Sequence, residues 1–324
     1  MKRVLLSALV GFTLVAAPAF ADTMRLAHNA APGNPKSDSS LLFAKLVKEK
    51  TDGRVDVDVG GSAQYGDDVE ALTSMRLGSL AFSANSQGTT ATIVPEFALL
   101  GLPFLFQNQE QAWKVMDGPA GDKLKEAAAK KGLVVLGFWD NGIRHTSNNK
   151  HPVKEPDDLK GVKIRTPPDT MTIDIFNALG ANPTPLAFSE LYIALQQGVM
   201  DGQENPLMNI YSSKLYEVQK YISLTGHKYE ATPLLASKVI WDGLSEKDKA
   251  AVLEAAKEAG EYNRERALKD NAELRKKLEE AGVKFNDVDH AAFVAKTSPV
   301  YEKWQAQFPE MTKTIVDAAK AAQN

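Results

Sequence analysis

Two arginines stand out as residues that could bind an anion. Between Arg76 and Arg264 the chain contains only Arg144 and Arg165, although lysines are frequent there. Arg165 ends a predicted strand at 162–165, and Arg144 follows another predicted strand. A guanidinium group is planar, stays protonated near neutral pH and can donate two parallel hydrogen bonds to one carboxylate. Because the carboxyl ends of strands in α/β proteins face the ligand crevice, each arginine either binds a carboxylate ligand there or pairs with an acidic residue of the chain.

Few residues or motifs of the chain indicate catalysis. The chain has no Cys, which excludes thiol catalysis, disulfides and Cys-based metal sites, and it lacks the nucleophile-elbow, zinc-protease and phosphate-loop motifs. His145 and His151 have no obvious third ligand nearby, so we expect solvated loop histidines, with a metal pair as the alternative. Asp67 and Asp68 precede a predicted helix, where carboxylates either cap the helix or form an acid–base pair. A binding protein is therefore expected rather than an enzyme, and no cofactor is expected.

The composition is that of a globular protein of about two domains. Of the 324 residues, 44% are hydrophobic and 24% are charged, and the formal net charge is -3, so there is no basic excess with which to bind nucleic acid. The N-terminus has the three parts of a secretory signal, namely Lys2 and Arg3, an apolar stretch at 4–17, and small residues at 19 and 21. A membrane anchor, the alternative, needs about 20 apolar residues. We predict a signal peptide at 1–21 and a periplasmic protein that does not insert into the membrane.

Strands and helices alternate along the chain, which predicts an α/β fold. The pattern predicts strands at 23–28, 54–59, 81–84, 133–138, 162–165 and 199–201, and helices at 37–51, 67–78, 107–116, 122–131, 171–179 and 189–197. The segments 70–81 and 190–201 share one layout, a helix that ends at a glycine before an apolar strand, which indicates two lobes built alike. A Pro-free segment from Ser245 to Ala281 predicts a helix of about 55 Å, which either bridges both lobes or breaks near Gly260.

Several segments resemble the substrate-binding proteins of TRAP transporters, the tripartite ATP-independent periplasmic systems of the C4-dicarboxylate-receptor type. They are QYGDD at 64–68, GLPF at 101–104, GVKIRTP at 161–167, PTPLAFSELY at 183–192 and VMDGQENP at 199–206. The resemblance implies a two-lobed Venus-flytrap fold that closes over an organic acid, with a long helix bridging both lobes. It also implies a monomer that delivers its ligand to the TRAP permease membrane subunits. The expected lobes are 22–141 plus 231–270 and 142–230 plus 271–324.

The resemblance also implies roles for individual residues. In the second lobe, Arg165 matches the residue that binds the substrate carboxylate, Arg144 a second positive group, Asn205 a hydrogen-bond partner of that carboxylate, and Phe188 a wall of the pocket. In the first lobe, Asn29 and Asp68 match positions that face the ligand. Asn85 and Ser86 stand where a relative has a Glu, which puts that contact in doubt. His28, Glu70 and Trp139 fall in or beside the same loops, and Trp139 is equally well explained as a core residue.

The candidate residues favour a hydroxylated ligand. Aromatic faces beside neutral donors and acceptors suit a sugar acid such as a uronate or an aldonate. A C4-dicarboxylate is the alternative, because Arg144 could bind its second carboxylate, and sialic acid is a further one. A periplasmic enzyme acting on sugar acids remains a remote alternative, with Asp68 or Glu204 as the acid–base and Arg165 as the substrate clamp.

Overall fold

All strands of the computed structural model, which describes residues 23–323, belong to one sheet. The predicted signal peptide at 1–21 lies outside the described residues. The strands within the described range are β1 (Thr23–Ala27), β2 (Asp56–Gly60), β3 (Phe82–Ala84), β4 (Leu133–Asn148), β5 (Lys163–Thr166), β6 (Asn182–Pro185), β7 (Gly202–Asn205), β8 (Tyr221–Ser237) and β9 (Lys284–Asn286). Their order in the sheet is β2-β1-β3-β8-β4-β7-β5-β6, and β9 pairs with β8.

The two halves of the sheet repeat one topology. In the first half, α1 (Pro35–Lys50) connects β1 to β2, and α2 (Asp68–Arg76) connects β2 to β3. In the second half, α6 (Thr170–Ala178) connects β5 to β6, and α7 (Phe188–Gln196) connects β6 to β7. Each half is therefore a parallel three-stranded unit with its first strand in the middle. The internal similarity read from the sequence is a structural repeat, and the predicted two-lobed α/β class is confirmed.

Two long antiparallel strands join the halves. Strand β8 pairs with β3 of the first half, β4 pairs with β7 of the second, and β4 and β8 pair with each other from Leu133 to Asn148. The predicted end of β4 at 138 is wrong, because irregularities in the register around Gly142 and His145 let the strand continue through a polar segment. His145 therefore lies within a strand, not in a solvated loop, and its Nδ1 accepts a hydrogen bond from the Gly226 N–H at 3.0 Å.

The long C-terminal helix is continuous. Helix α10 (Glu246–Glu280) has 35 residues, and the Ser245 side chain caps it by accepting a hydrogen bond from the Asp248 N–H at 3.1 Å. The helix does not break at Gly260, because this glycine lets it approach the indole of Trp139: a Cβ there would lie 3.0 Å from Cδ1. Residues near the start of α10 pack in the core of the first half, and Leu278 packs in the core of the second half. The helix thus bridges the lobes, as predicted.

The strand predicted at 199–201 is displaced. Val199 is exposed and follows Gly198, whose φ of +69° ends α7, and the strand itself is β7. Its residues Gln203, Glu204 and Asn205 are polar but fully buried. Hydrophobic periodicity predicts strands from apolar residues, so it selected the apolar turn and missed the buried polar strand.

Smaller helices complete the layers on the sheet. They are α3 (Gln87–Thr90), α4 (Gln109–Met116), α5 (Pro119–Ala129), α8 (Leu207–Ser212), α9 (Lys238–Asp242), α11 (His290–Gln307) and α12 (Pro309–Ala321). The largest hydrophobic core lies where α4, α5, α6, α11 and α12 meet β4 and β8. No helix in the part of the chain that the structure describes is long and apolar enough to cross a membrane.

Candidate functional site

A cavity of about 540 Å³ lies between the two halves of the sheet. Residues that follow the carboxyl ends of β1, β3, β5 and β7 reach it, as expected for an α/β crevice. Seven of the residues predicted from the sequence line its wall: Asn29, Asp68, Glu70, Arg144, Arg165, Phe188 and Asn205. The fold therefore brings together predicted site residues that are up to 176 positions apart in the chain, from Asn29 to Asn205.

Arg165 is a buried cation that has no acidic partner within 4.0 Å among residues 23–323. It is 1% exposed, and its Nε and Nη2 donate to the backbone oxygen of Leu186 at 2.9 and 2.6 Å. The central carbon of the guanidinium lies over the Phe188 ring, 5.7 Å from its centre, as in a cation–π contact. Burial lowers the pKa of Arg165 to about 10, so it stays charged at neutral pH. Nη1 donates no hydrogen bond to any residue between 23 and 323, and the side chain faces the cavity.

Arg144 is neutralised by the protein itself. Its Nη2 donates to Oε1 of Glu204 at 2.7 Å, and its Nε contacts the other oxygen of the same carboxylate. His227 Nε2 lies 3.2 Å from Glu204 Oε2. Burial alone would raise the pKa of Glu204, but the charge and hydrogen bonds of Arg144 and His227 lower it well below its usual range. Arg144 therefore pairs with an acidic residue of the chain, one of the two alternatives left open by the sequence, and it also lines the cavity. Its role as a second positive group beside the ligand stays a prediction.

The acidic residues at the start of α2 have structural partners. Asp67 caps the helix and accepts hydrogen bonds from Asn29 Nδ2 and the Asp68 N–H, both at 2.8 Å. Glu70 completes the capping box by accepting from the Asp67 N–H at 3.1 Å. Asp68 is 7% exposed, burial raises its pKa, and its Oδ2 accepts from the Ser86 N–H at 3.2 Å. The capping interpretation therefore holds for Asp67, whereas Asp68 keeps one oxygen toward the cavity.

Hydrogen bonds cross the cavity from one lobe to the other. Asp67 Oδ2 accepts from the Ser189 N–H of α7 at 2.9 Å. Asn34 Nδ2, at the start of α1, donates to Asn209 Oδ1 at 3.0 Å and to Ser212 Oγ at 3.1 Å. Because these bonds join the rims of the two lobes, the structure represents the closed form of the cleft.

Three predicted site residues lie behind the cavity wall. Trp139 is fully buried in the core, and its Nε1 donates to the backbone oxygen of Ala256 at 3.3 Å, so the core alternative holds for it. Asn85 is fully buried, and its Nδ2 donates to the Asp68 backbone oxygen at 2.9 Å, which positions the start of α2. His28 is 2% exposed, and burial and the nearby Lys36 lower its pKa to about 4. Asn85 thus supports the start of α2, whereas Trp139 joins β4 to α10.

Sequence reasoning missed several polar residues of the wall, chiefly Asn34, Lys36 and Glu230. Lys36 follows a Pro in the first loop, where it looks like an ordinary surface lysine. Glu230 offered a usable signal, because it and Lys228 are the two acidic or basic residues, apart from His227, in the long segment that forms β8. A charged residue in such a segment must be paired or functional, since an unpaired buried charge is costly. Glu230 Oε2 lies 2.8 Å from Lys228 Nζ.

Catalysis or metal binding at this site would depend on Asp68, Glu204 and the histidines. Among residues 23–323 no group of three or more His, Asp or Glu residues could hold a metal ion. Glu204, one of the two carboxylates considered as an acid–base, is fully buried behind Arg144, and its lowered pKa keeps it ionised. The arrangement instead presents a buried guanidinium and several polar groups to a cavity between the two lobes.

Two similar α/β lobes that close over a ligand-sized polar cavity define a solute-binding protein of the periplasmic type. The chain belongs to the bacterial extracellular solute-binding proteins of family 7, whose sequence profile matches residues 26–307. This confirms the resemblance to TRAP substrate-binding proteins that the sequence motifs indicated.

Individual relatives agree with the family. An uncharacterized protein of Sinorhizobium fredii is 51% identical over 86% of this chain, although the chain spans only 52% of that relative. The sugar acid binding protein of Advenella mimigardefordensis, crystallised with galactonate, is 35% identical with a TM-score of 0.90 and covers 93% of this chain and 98% of its own. A TRAP solute-binding protein of Chromohalobacter salexigens with bound D-glucuronate is 36% identical with a TM-score of 0.88, over 92% and 100% of the chains.

Proposed function

We propose that this protein is the periplasmic receptor of a TRAP transporter and that it binds a sugar acid, a uronate or an aldonate, with the carboxylate on Arg165. The observation that carries the proposal is the buried, uncompensated guanidinium of Arg165, which keeps N–H groups toward the cavity. A buried charge is unfavourable unless it is paired, and a ligand carboxylate supplies the pair. Closure of the lobes excludes water and strengthens this interaction.

The rest of the wall suits a hydroxylated body. Asp68, Glu230 and Asn34 line the cavity along with Lys36, so that both acceptors and donors face the ligand. The cavity of about 540 Å³ lies within the range of about 300–1,000 Å³ that is typical of small-molecule sites. The relatives from Advenella and Chromohalobacter hold galactonate and glucuronate, which are ligands of this class.

A C4-dicarboxylate fits the wall less well than the sequence indicated. That alternative depended on Arg144 as the second cation, and Arg144 is bound at both oxygens of Glu204. A second ligand carboxylate would also lie near the acidic residues Asp68 and Glu230 of the wall. Sugar hydroxyls avoid this repulsion because they carry no charge and can donate to carboxylates.

The wider biological role follows from the family and stays part of the proposal. The protein binds its ligand without converting it, acts as a monomer in the periplasm and passes the ligand to the TRAP permease. The lobes are expected at 22–141 plus 231–270 and 142–230 plus 271–324. This division places the crossings between the lobes on β4, β8 and α10, the three elements that run through both halves.

A ligand panel tests the proposal. Thermal shift and titration calorimetry with D-glucuronate, D-galacturonate, D-galactonate, sialic acid, succinate and L-malate are expected to give clear stabilisation with the sugar acids only. Mass spectrometry of each ligand after incubation in excess over protein is expected to recover it unchanged. Binding of the dicarboxylates without binding of any sugar acid, or conversion of the ligand, would contradict the proposal.

A further inference from the structure

Lys36 is a buried lysine in the wall of the cavity. It follows Pro35 at the start of α1, and its backbone N–H donates to the Asn34 side chain at 2.9 Å. The residue is 4% exposed, and it lines the cavity between the lobes. The helix start therefore holds the lysine backbone firmly, while the side chain reaches the space that the ligand occupies.

Within residues 23–323 the ammonium group of Lys36 has no hydrogen-bond or ion-pair partner. It donates no hydrogen bond and has no carboxylate within 4.0 Å among residues 23–323. Lys228, another buried lysine, has partners for its ammonium group within the protein. It contacts Asp169, lies 2.8 Å from a Glu230 oxygen and donates to Thr172 Oγ1 at 2.7 Å. An ammonium with three donors and no acceptor is expensive to bury. Lys36 thus has the environment of a group whose acceptors arrive with a ligand.

Asp68 places an acceptor in the same cavity wall. Its Oδ2 accepts from the Ser86 N–H at 3.2 Å, and Ser86 is the one residue in the described range that hydrogen-bonds this carboxylate. Asp68 is also the strongest attractive charge on Lys36, followed by Glu230 and Asp67, and together they only partly offset the lowering of the Lys36 pKa by burial. A hydroxyl group both donates and accepts, so two neighbouring hydroxyls satisfy the ammonium and the carboxylate together.

We propose that Lys36 and Asp68 bind adjacent hydroxyl groups of the ligand from the first lobe, while Arg165 binds its carboxylate from the second. The proposal rests on the proposed function and adds the basis of ligand selection. An acid that lacks hydroxyls leaves the Lys36 ammonium and the Asp68 carboxylate buried without partners. A dicarboxylate brings a second negative charge toward Asp68, Asp67 and Glu230. The site therefore selects polyhydroxylated monocarboxylates.

The geometry also connects hydroxyl binding to closure. Asn34, which caps the helix that carries Lys36, donates across the cleft to Asn209 and Ser212. A ligand held between Lys36 and Arg165 bridges the same two lobes. Because a ligand shifts an equilibrium by its differential affinity for the two states, hydroxyl contacts made only in the closed form favour closure.

The test uses Lys36→Met and Lys36→Gln, with Lys45→Met as the matched control on an exposed lysine of the same helix. Titration calorimetry with D-glucuronate and D-galactonate is expected to show affinity about 10- to 150-fold lower for both Lys36 variants, the range of a hydrogen bond to a charged group. The control is expected to bind like the wild type. The melting temperature of the unliganded Lys36 variants is expected to equal or exceed that of the wild type, because they no longer bury an unpaired ammonium.

Any other result contradicts either the inference about Lys36 or the proposed function, and the two cases can be told apart. If the wild type binds the sugar acids and the affinity of both Lys36 variants is within twofold of the wild-type value, the inference about Lys36 is wrong and the proposed function stands. If both variants melt several degrees below the wild type without ligand, Lys36 is a structural residue and the inference is wrong. If the wild type binds succinate more tightly than D-glucuronate and Lys36→Met abolishes this binding, Lys36 binds a carboxylate rather than hydroxyls. If the wild type binds no sugar acid, the proposed function itself fails.

Discussion

Replacing Arg165 by lysine tests how the carboxylate is held. The guanidinium divides its donors between two tasks, because Nε and Nη2 donate to the Leu186 backbone oxygen and Nη1 stays toward the cavity. A lysine keeps the positive charge but has a single nitrogen. It cannot satisfy the Leu186 oxygen and also present two parallel donors to a ligand carboxylate. The substitution therefore separates the charge of Arg165 from its geometry.

The magnitude follows from the number of hydrogen bonds lost. Each hydrogen bond to a charged group contributes about 1.5–3 kcal/mol. Arg165→Lys loses about one of them, which lowers the affinity about 10- to 150-fold. Arg165→Met loses the pair, about 3–6 kcal/mol, and lowers the affinity at least about 100-fold. Since Arg165 is 1% exposed, solvent screening reduces these values little.

Titration calorimetry at pH 7 with D-glucuronate measures both losses. Arg76→Lys is the control, because Arg76 is an exposed arginine at the end of α2, in the other lobe. Circular dichroism melting curves establish that each variant is folded. A folded Arg165→Lys variant that binds within threefold of the wild type would refute the reasoning, since the carboxylate would then not depend on the paired donors of the guanidinium.

The remaining predictions concern the support of the site. Glu204→Gln leaves Arg144 buried without its counter-charge, and denaturant titration is expected to show a loss of about 3–5 kcal/mol in unfolding free energy; a loss below 1 kcal/mol would contradict the pairing. Asn209→Ala removes a hydrogen bond to Asn34 across the cleft, so small-angle scattering should show a more open ligand-free form and calorimetry an affinity about two- to tenfold lower; an unchanged radius of gyration with unchanged affinity argues against it. Burial and the nearby Lys36 lower the pKa of His28 in the folded protein to about 4 from its ordinary value of about 6.5, so its contribution to stability, about 3 kcal/mol, is complete above pH 6.5 and is lost as the pH falls toward 4. His28→Gln should flatten the pH dependence of stability in that window, and an unaltered slope would exclude this role.

The regular parts of the fold could be predicted because their residues follow simple periods. The three-strand units gave clear alternation and capping signals, such as Ser245 for α10 and Asp67 for α2. Strand β4 was predicted only in its first part, to residue 138, and β8 was not predicted at all, because the central residues of both strands are polar and buried. A strand such as β7, with Gln203 and Glu204 inside the protein, has no hydrophobic pattern. Its stability comes from hydrogen bonds and ion pairs, which depend on residues far away in the chain.

Site residues that lie within a recognisable motif could be predicted from the sequence, and most of the others could not. Arg165 and Phe188 came from one recognisable segment each, and both line the cavity. The partner of Arg144 could not be read from the chain, because Glu204 lies 60 residues away and meets it only through the pairing of β4 with β7. Lys36 gave no signal in the sequence, since only its burial distinguishes it from the surface lysines of the same helix.

A crystal structure of the protein with D-glucuronate or D-galactonate tests the central claim most directly. We predict an unaltered ligand between the lobes, with its carboxylate within hydrogen-bond distance of Arg165 Nη1 and its hydroxyls on the wall of the first lobe. A carboxylate bound elsewhere in the cavity, with the Arg165 guanidinium turned to an acidic side chain of the protein, would contradict it.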